Sequence, residues 1–218
     1  MRGSWEVEHR RGGAAALHGA DVPARRLVRV HEVLAPAVVL GSTQSERLLD
    51  PGAVGTGGPE VVRRRSGGGA VHLVPGAQVW VDVVVPAGDD LWDDDVGRAT
   101  WWLGDAWARA LDGAGRERSP AVVHRGGVTD RAAARIACFA ALGPGEVARS
   151  GAKVVGISQR RTRHLSRFQC VAYLDWDPTL LTGLLVAEAA AAVAEALADR
   201  VGTVDGAVLD RFLDALPD

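Results

Sequence analysis

Asparagine is absent from the 218 residues, and a single lysine, Lys153, stands beside 24 arginines. Cysteine occurs only at Cys138 and Cys170, which can form one bridge but neither a disulfide framework nor a zinc cluster. A reduced, cytoplasmic compartment is therefore the simplest expectation. No apolar run reaches the roughly 18 residues that a membrane span needs. The nearest, residues 180–198, is interrupted by Glu188 and Glu195 and reads as an Ala-rich helix. The N-terminus has no apolar h-region, so no secretory signal is expected. The six histidines are dispersed without metal-ligand spacing, and no metal site is expected. A net charge of −2 excludes a general nucleic-acid binder. What remains, with 47% hydrophobic and 24% charged residues, is a globular chain whose length suits one domain over residues 1–218.

The arginine excess reads as a bias that replaces lysine wherever charge alone matters. A lysine that survives it is a candidate for chemistry that arginine cannot perform. Charge is also uneven along the chain: from Arg149 to Arg167 there are five arginines and Lys153 with no Asp or Glu, a stretch suited to facing an anion or an acidic partner.

Periodicity predicts a loosely ordered segment over residues 1–24, with a short element near 14–18. Strands follow at 26–32, 36–41, 61–65, 70–73 and 78–85, with a glycine loop at 52–59. A helix capped by Asp89 or Asp90 is expected next, with Asp93, Asp94 and Asp95 in its first turn. Its apolar stripe is Trp92, Val96, Ala99, Leu103, Ala106 and Ala110, and its tryptophans (Trp101, Trp102 and Trp107) are expected to pack on a sheet. After a loop at 113–120 come β-rich runs at 121–124, 136–141, 153–158 and 168–175. Helices at 178–199 and 205–216 close the chain. This order predicts an α+β fold on a mixed, largely antiparallel sheet flanked by helices.

Two segments carry chemistry. Arg63, Arg64, Arg65, Ser66, Gly67, Gly68, Gly69, Ala70, Val71 and His72 place three glycines between strands, leaving backbone N–H groups unobstructed behind guanidinium groups. No Walker or dinucleotide pattern is present, so the segment is either an anion site or a flexible turn. The second segment runs from Gly151 through Lys153, Gly156 and Ser158 to Arg161. Strand alternation would place Lys153, Val155 and Ile157 on one face, with a desolvated ammonium that an anion would offset. An ammonium is compact enough to touch two oxygens of an acyl-phosphate, where a guanidinium fork is wider.

Arg-Arg-x-Ser-Gly-Gly-Gly-Ala-Val, followed some 80 residues later by Gly-x-Lys-Val-x-Gly-x-x-Gln-Arg-Arg, resembles the lipoate–protein ligase family, which shares a catalytic fold with octanoyltransferases and biotin protein ligases. The resemblance covers roughly residues 26–177, including Val38 to Gln44 as an early strand ending in glycine and a polar-Gln pair. It implies a ligase that joins lipoate to ATP as lipoyl-adenylate, with Mg2+ accompanying the nucleotide, and passes the acyl group to a lysine of a lipoyl-domain acceptor. By position, Arg64, Ser66, Gly67, Gly68, Gly69, Ala70, Val71, His72, Gly156 and Ser158 would bind nucleotide and adenylate. Lys153 would be catalytic, and Trp80 or Val71 would contribute to an apolar tunnel.

Several residues depart from the family pattern. His-Asp-x-Gly-Asn is replaced by His72-Leu73-Val74-Pro75-Gly76, and the His-Gly pair after the lysine strand by Gln169-Cys170. The Pro-Gly-x-Gln-Val run resembles the octanoyltransferase branch. The chain is also expected to lack the accessory domain of many ligases, which a separate accessory chain would supply. Two alternatives follow. One is an acyltransferase that draws on an acyl carrier protein through a thioester at Cys170 or Cys138. The other is a non-catalytic binder of a lipoyl-type acid or adenylate. Biotin ligation lacks its Gly-Arg-Gly-Arg loop here.

Overall fold

A computed structural model describes residues 5–113 and 119–218. Ten strands form two sheets. Strands β1 (Glu6–Gly12), β2 (Leu27–Val33), β6 (Gln78–Pro86), β7 (Val122–Val123), β8 (Val147–Arg149), β9 (Ala152–Arg161) and β10 (Leu165–Tyr173) form a seven-stranded sheet in the order β1-β2-β6-β10-β9-β8-β7. Only the β1–β2 pair in it is parallel. Strands β3 (Ala37–Leu40), β4 (Glu60–Arg63) and β5 (Val71–Leu73) form a smaller mixed sheet with β3 central. The expected α+β fold on a mixed, largely antiparallel sheet is what is observed.

Alternation along β6 and β10 divides the molecule into layers. Val81, Val83, Val85, Phe168, Cys170 and Ala172 pack against helices α2 (Trp101–Asp112) and α6 (Val208–Asp214). Trp107 and Phe212 stack there at 3.9 Å between ring centroids. On the opposite face Trp80 and Val171 meet Val39, Val62 and Val71 of the small sheet. The other side of that sheet, Val38 and Leu40, packs with α3 (Arg131–Ile136), α4 (Pro178–Thr182) and α5 (Ala187–Asp199). A cleft opens between the β4–β5 loop, α3 and β9. Among the described residues no helix is long and apolar enough to cross a membrane.

Four expectations are corrected. Residues 5–24 are not loose: β1 pairs in register with β2, and α1 (Ala14–Gly19) packs Ala14 and Leu17 into the small-sheet core. Residues 1–4 lie outside the described residues, as do residues 114–118 of the expected 113–120 loop. The acidic run does not begin a helix. Asp89 pairs with Arg26 at 2.8 Å, and the Asp93 and Asp95 carboxylates accept N–H groups two residues on, a turn conformation that competes with helix. Helical geometry starts only at a 3-10 turn, Arg98–Thr100, so the stripe holds from Ala99 onward while Val96 is exposed. The run at 136–141 is not a strand. Asp130 accepts from the N–H groups of Ala132 and Ala133, capping α3, and a 3-10 turn at Cys138–Ala140 follows. The helix at 178–199 is two helices, broken where Leu185 bridges to Leu49.

Candidate active site

The β4–β5 loop is held from inside. Arg64 is buried, and its guanidinium donates to the carbonyls of Val39 (3.2 Å), Gly67 (2.7 Å) and Gly69 (2.8 Å). Burial pushes its pKa down, while the Cys138 thiol and the Glu146 carboxylate pull the other way. The guanidinium thus braces the loop, and Arg64 also borders a small cavity behind it. Gly68 takes φ +95, and a Cβ on Gly69 would stand 2.6 Å from the Ala134 oxygen, so glycine is required where the loop turns and where it touches α3. Among the described residues no acceptor meets the N–H groups of Gly67, Gly68 or Gly69. Such N–H groups around a concavity suit an anion.

Lys153 reaches this loop because of a bulge. Val147 lies opposite Val155 and Ala148 opposite Lys153, so two β9 steps match one on β8 and Val154 is the extra residue. Val154, Val155 and Ile157 belong to the helix-side core. Lys153 therefore leaves the face that simple alternation assigns it and joins Gly156 and Ser158 toward the cleft. A Cβ on Gly156 would stand 3.1 Å from Phe139 Cε2, so the glycine makes room for the ring that packs beside Lys153.

The lysine is 3% exposed and fully engaged. Its Nζ donates to the carbonyls of Cys138 (2.6 Å) and Ala141 (3.0 Å), pairs with Glu146 Oε2 at 2.6 Å, and lies 3.7 Å from Cys138 Sγ. It also stands 5.0 Å from the Phe139 ring centroid. Glu146 accepts from the N–H groups of Gly143 (2.6 Å) and Ile157 (3.0 Å). Sequence reasoning missed this residue. Its signal was that Glu146 is the one carboxylate between Asp130 and Asp175.

Three connected spaces form the cleft. The outer one, about 550 Å³, is lined by Thr43, Gln44, Arg131 and Arg135. It shares Gly68, Val128 and Ala134 with a middle space of about 220 Å³ that contains the three glycines, Glu146 and Lys153. Cys138 and Ser158 also line the innermost space, about 30 Å³, with Arg64, Val71, Phe139, Gly156, Gln169 and Val171. Arg131 and Arg135 were not anticipated from the sequence. They sit one turn apart on α3 with no carboxylate partner among the described residues.

A buried polar chain braces the cleft from behind. Ser66 bonds Ser158 (3.0 Å) and Gln169 Oε1 (2.9 Å), and the Gln169 amide nitrogen contacts His18 Nδ1 (3.0 Å) and Asp82 Oδ1 (3.3 Å). Asp82 in turn holds His31 (2.7 Å) and Arg167 (3.0 Å). Burial alone would push Asp82 up, but His31 and Arg167 hold it below the usual carboxylate range. Burial drives His18 down to about 3.

The remaining expected residues divide. Ala70 and His72 are buried and do not line the three spaces, and burial lowers the His72 pKa. Trp80 is sandwiched between His18 and His31, at 4.4 and 4.3 Å, and does not line the innermost space, whereas Val71 does. Cys170 lies in the helix-side core, where burial pushes its thiol far up, unsuited to nucleophilic attack. Cys138 lines the cleft.

No curated protein matches this chain. Among solved structures it is similar to the bi-partite lipoate protein ligase of Thermoplasma acidophilum, at TM-score 0.71 and 16% identity over 99% of this chain and 81% of that one. A lipoate-protein ligase A with bound ATP gives 0.69 and 18%, covering 99% and 83%. A Thermoplasma acidophilum protein with bound lipoic acid gives 0.67 and 18%, covering 99% and 82%. These likenesses show the fold, and residues 7–210 match the lipoyl protein ligase A/B catalytic domain, so the chain belongs to that enzyme family of ligases and transferases.

Proposed function

We propose that the protein activates lipoate, or a similar medium-chain acid, with ATP and transfers the acyl group to a lysine of a lipoyl domain. The observation that carries this reading is the lone lysine placed between three unpartnered glycine N–H groups and an apolar pocket. The acid's tail lies against Val71, Phe139 and Val171, and seating it requires these side chains to part, since the innermost space is only about 30 Å³. Its carboxylate then stands at Lys153, and the nucleotide phosphates face the glycine loop with Arg131 and Arg135 at the mouth.

In the first step a carboxylate oxygen attacks the α-phosphorus, a new O–P bond forms, and the bond to pyrophosphate breaks. In the second the acceptor amine attacks the acyl carbon, AMP leaves with the electron pair, and the amine gives up a proton. Lys153 holds the two anions in attack geometry and offsets charge that builds on the acyl-phosphate. The described residues hold no cluster of His, Cys, Asp and Glu suited to a metal ion. Glu146, the one carboxylate lining these spaces among the described residues, has both oxygens engaged by Lys153, Gly143 and Ile157. Relatives with bound ATP and with lipoic acid support the substrate pair, and the relative studied with its E2 lipoyl domain supports the acceptor.

Cys138 Sγ, 3.7 Å from the ammonium, favours a second reading, acyl transfer through a thioester at Cys138. The two are separated by mixing the protein with ATP, lipoate and magnesium and following pyrophosphate release and acyl-adenylate mass. Adenylate lost in Lys153→Ala but retained in Cys138→Ser and Cys170→Ser establishes the ligase. An octanoyl adduct on Cys138 from an acyl carrier protein donor establishes the transferase. Lipoate binding with neither product leaves a non-catalytic binder.

A further inference from the structure

Lys153 has three N–H donors, and all three are spent inside the protein, on Cys138 O, Ala141 O and Glu146 Oε2. It therefore cannot meet a substrate anion without giving up a partner. The three partners are not equivalent. The two carbonyls are neutral, whereas Glu146 is 4% exposed and supplies the only negative charge within hydrogen-bond reach of the ammonium among the described residues. Glu146 is itself anchored through both oxygens, by Gly143 N–H on one and Ile157 N–H on the other. If the ammonium withdraws, the carboxylate keeps two donors and stays in place.

From these contacts we infer that Glu146 is a positioning residue, a resident counter-ion that holds Lys153 parked until a substrate carboxylate exchanges for it. The exchange swaps one carboxylate for another, so a buried ammonium never stands unpaired. An acid without charge to offer cannot drive the swap, and Glu146 thereby tunes the cleft toward ionised acyl acids. The other groups beside the ammonium do not substitute for Glu146: Cys138 offers a thiol at 3.7 Å and Phe139 its ring at 5.0 Å to the centroid. This inference rests on the proposed reading for the identity of the incoming anion, but not for the pairing itself.

Because the chain has one lysine, carbon-13-labelled lysine gives a single side-chain Cε resonance, which can be followed by NMR in the free protein. In Glu146→Gln the resonance of the free protein should move, since the ammonium loses its carboxylate partner. Calorimetry with octanoate at neutral pH should show the variant binding about fivefold or more tightly than the wild type, because no carboxylate competes for the ammonium. Glu146→Asp, which keeps the charge, restores the resonance and the affinity toward wild type and serves if the glutamine variant does not fold. In the wild type, octanoate shifts the Cε resonance as the partner changes. An unchanged resonance in Glu146→Gln, or octanoate bound no more tightly than by the wild type, overturns the inference. A shifted resonance with no binding of octanoate or lipoate to any form overturns the proposed substrate instead.

Discussion

At the scale of single residues, the cleft is built from groups whose charge state is set by burial. His18 accepts through Nδ1 from the Gln169 amide, which requires a neutral ring, and burial holds its pKa at about 3. The unfolded chain binds that proton at the ordinary histidine value, about 6.5. The folded pKa is depressed, so His18's contribution is fully present above about pH 6.5 and is lost as pH falls toward 3. Stability measured by urea unfolding should accordingly decline through this window by up to several kcal/mol, about 1.4 per pH unit. Replacing His18 with Gln should flatten the decline, and an equally steep curve in His18→Gln would show that another group carries it. Asp82 acts lower on the scale. Its depressed pKa gives stability above about pH 4 that disappears as pH falls through the folded value.

At the scale of elements, the glycine loop is defined by what it touches. Gly67 has open space around its Cβ position, whereas Gly69 is within 2.7 Å of backbone atoms of Ala134 and Ala137. Gly67→Ala should be near neutral in thermal unfolding. Gly69→Ala should cost about 1–3 kcal/mol or more by forcing the loop from α3, and should lower activity further than stability alone would explain. Equal effects from the two would contradict the packing described. Behind the loop, Gln169→Ala would leave His18 Nδ1 and Asp82 Oδ1 without their shared partner and should cost about 2 kcal/mol or more. Chemical denaturation measures it, and a loss under about 0.5 kcal/mol would mean that these groups find other partners.

The same elements mark how far the sequence could be read. Strands β2 to β6 were legible because β-branched runs bounded by Gly and Pro have few other uses. Lys153 and the triglycine loop were legible as a pair of motifs. The face on which Lys153 points was not, because the bulge depends on β8, a strand of three residues that carries no period of its own. Likewise Asp130 followed by Ala-rich α3 is a capped helix too short for periodicity, and the Asp89–Asp95 run has cap chemistry but spends it on turns. Trp80 has the right identity for ligand contact, yet packing between His18 and His31 turned it inward, while Arg64 lines the innermost space but spends its donors on loop carbonyls. Glu146 escaped notice because a glutamate after Gly-Pro-Gly reads as a turn residue until the lysine beside it is seen.

At the scale of the whole molecule, a cleft opens between the β4–β5 loop, α3 and β9, and chain-wide arginine usage leaves one lysine in it. The central claim is that this ammonium does what a guanidinium cannot, so the direct measurement is pyrophosphate release from ATP and lipoate by the wild type and Lys153→Arg. Arginine preserves the positive charge beside Glu146 but not the compact donor geometry. The wild type should release pyrophosphate, and Lys153→Arg, folded by circular dichroism, should lose about a hundredfold or more of the rate. Activity in Lys153→Arg within a few fold of wild type would contradict the claim.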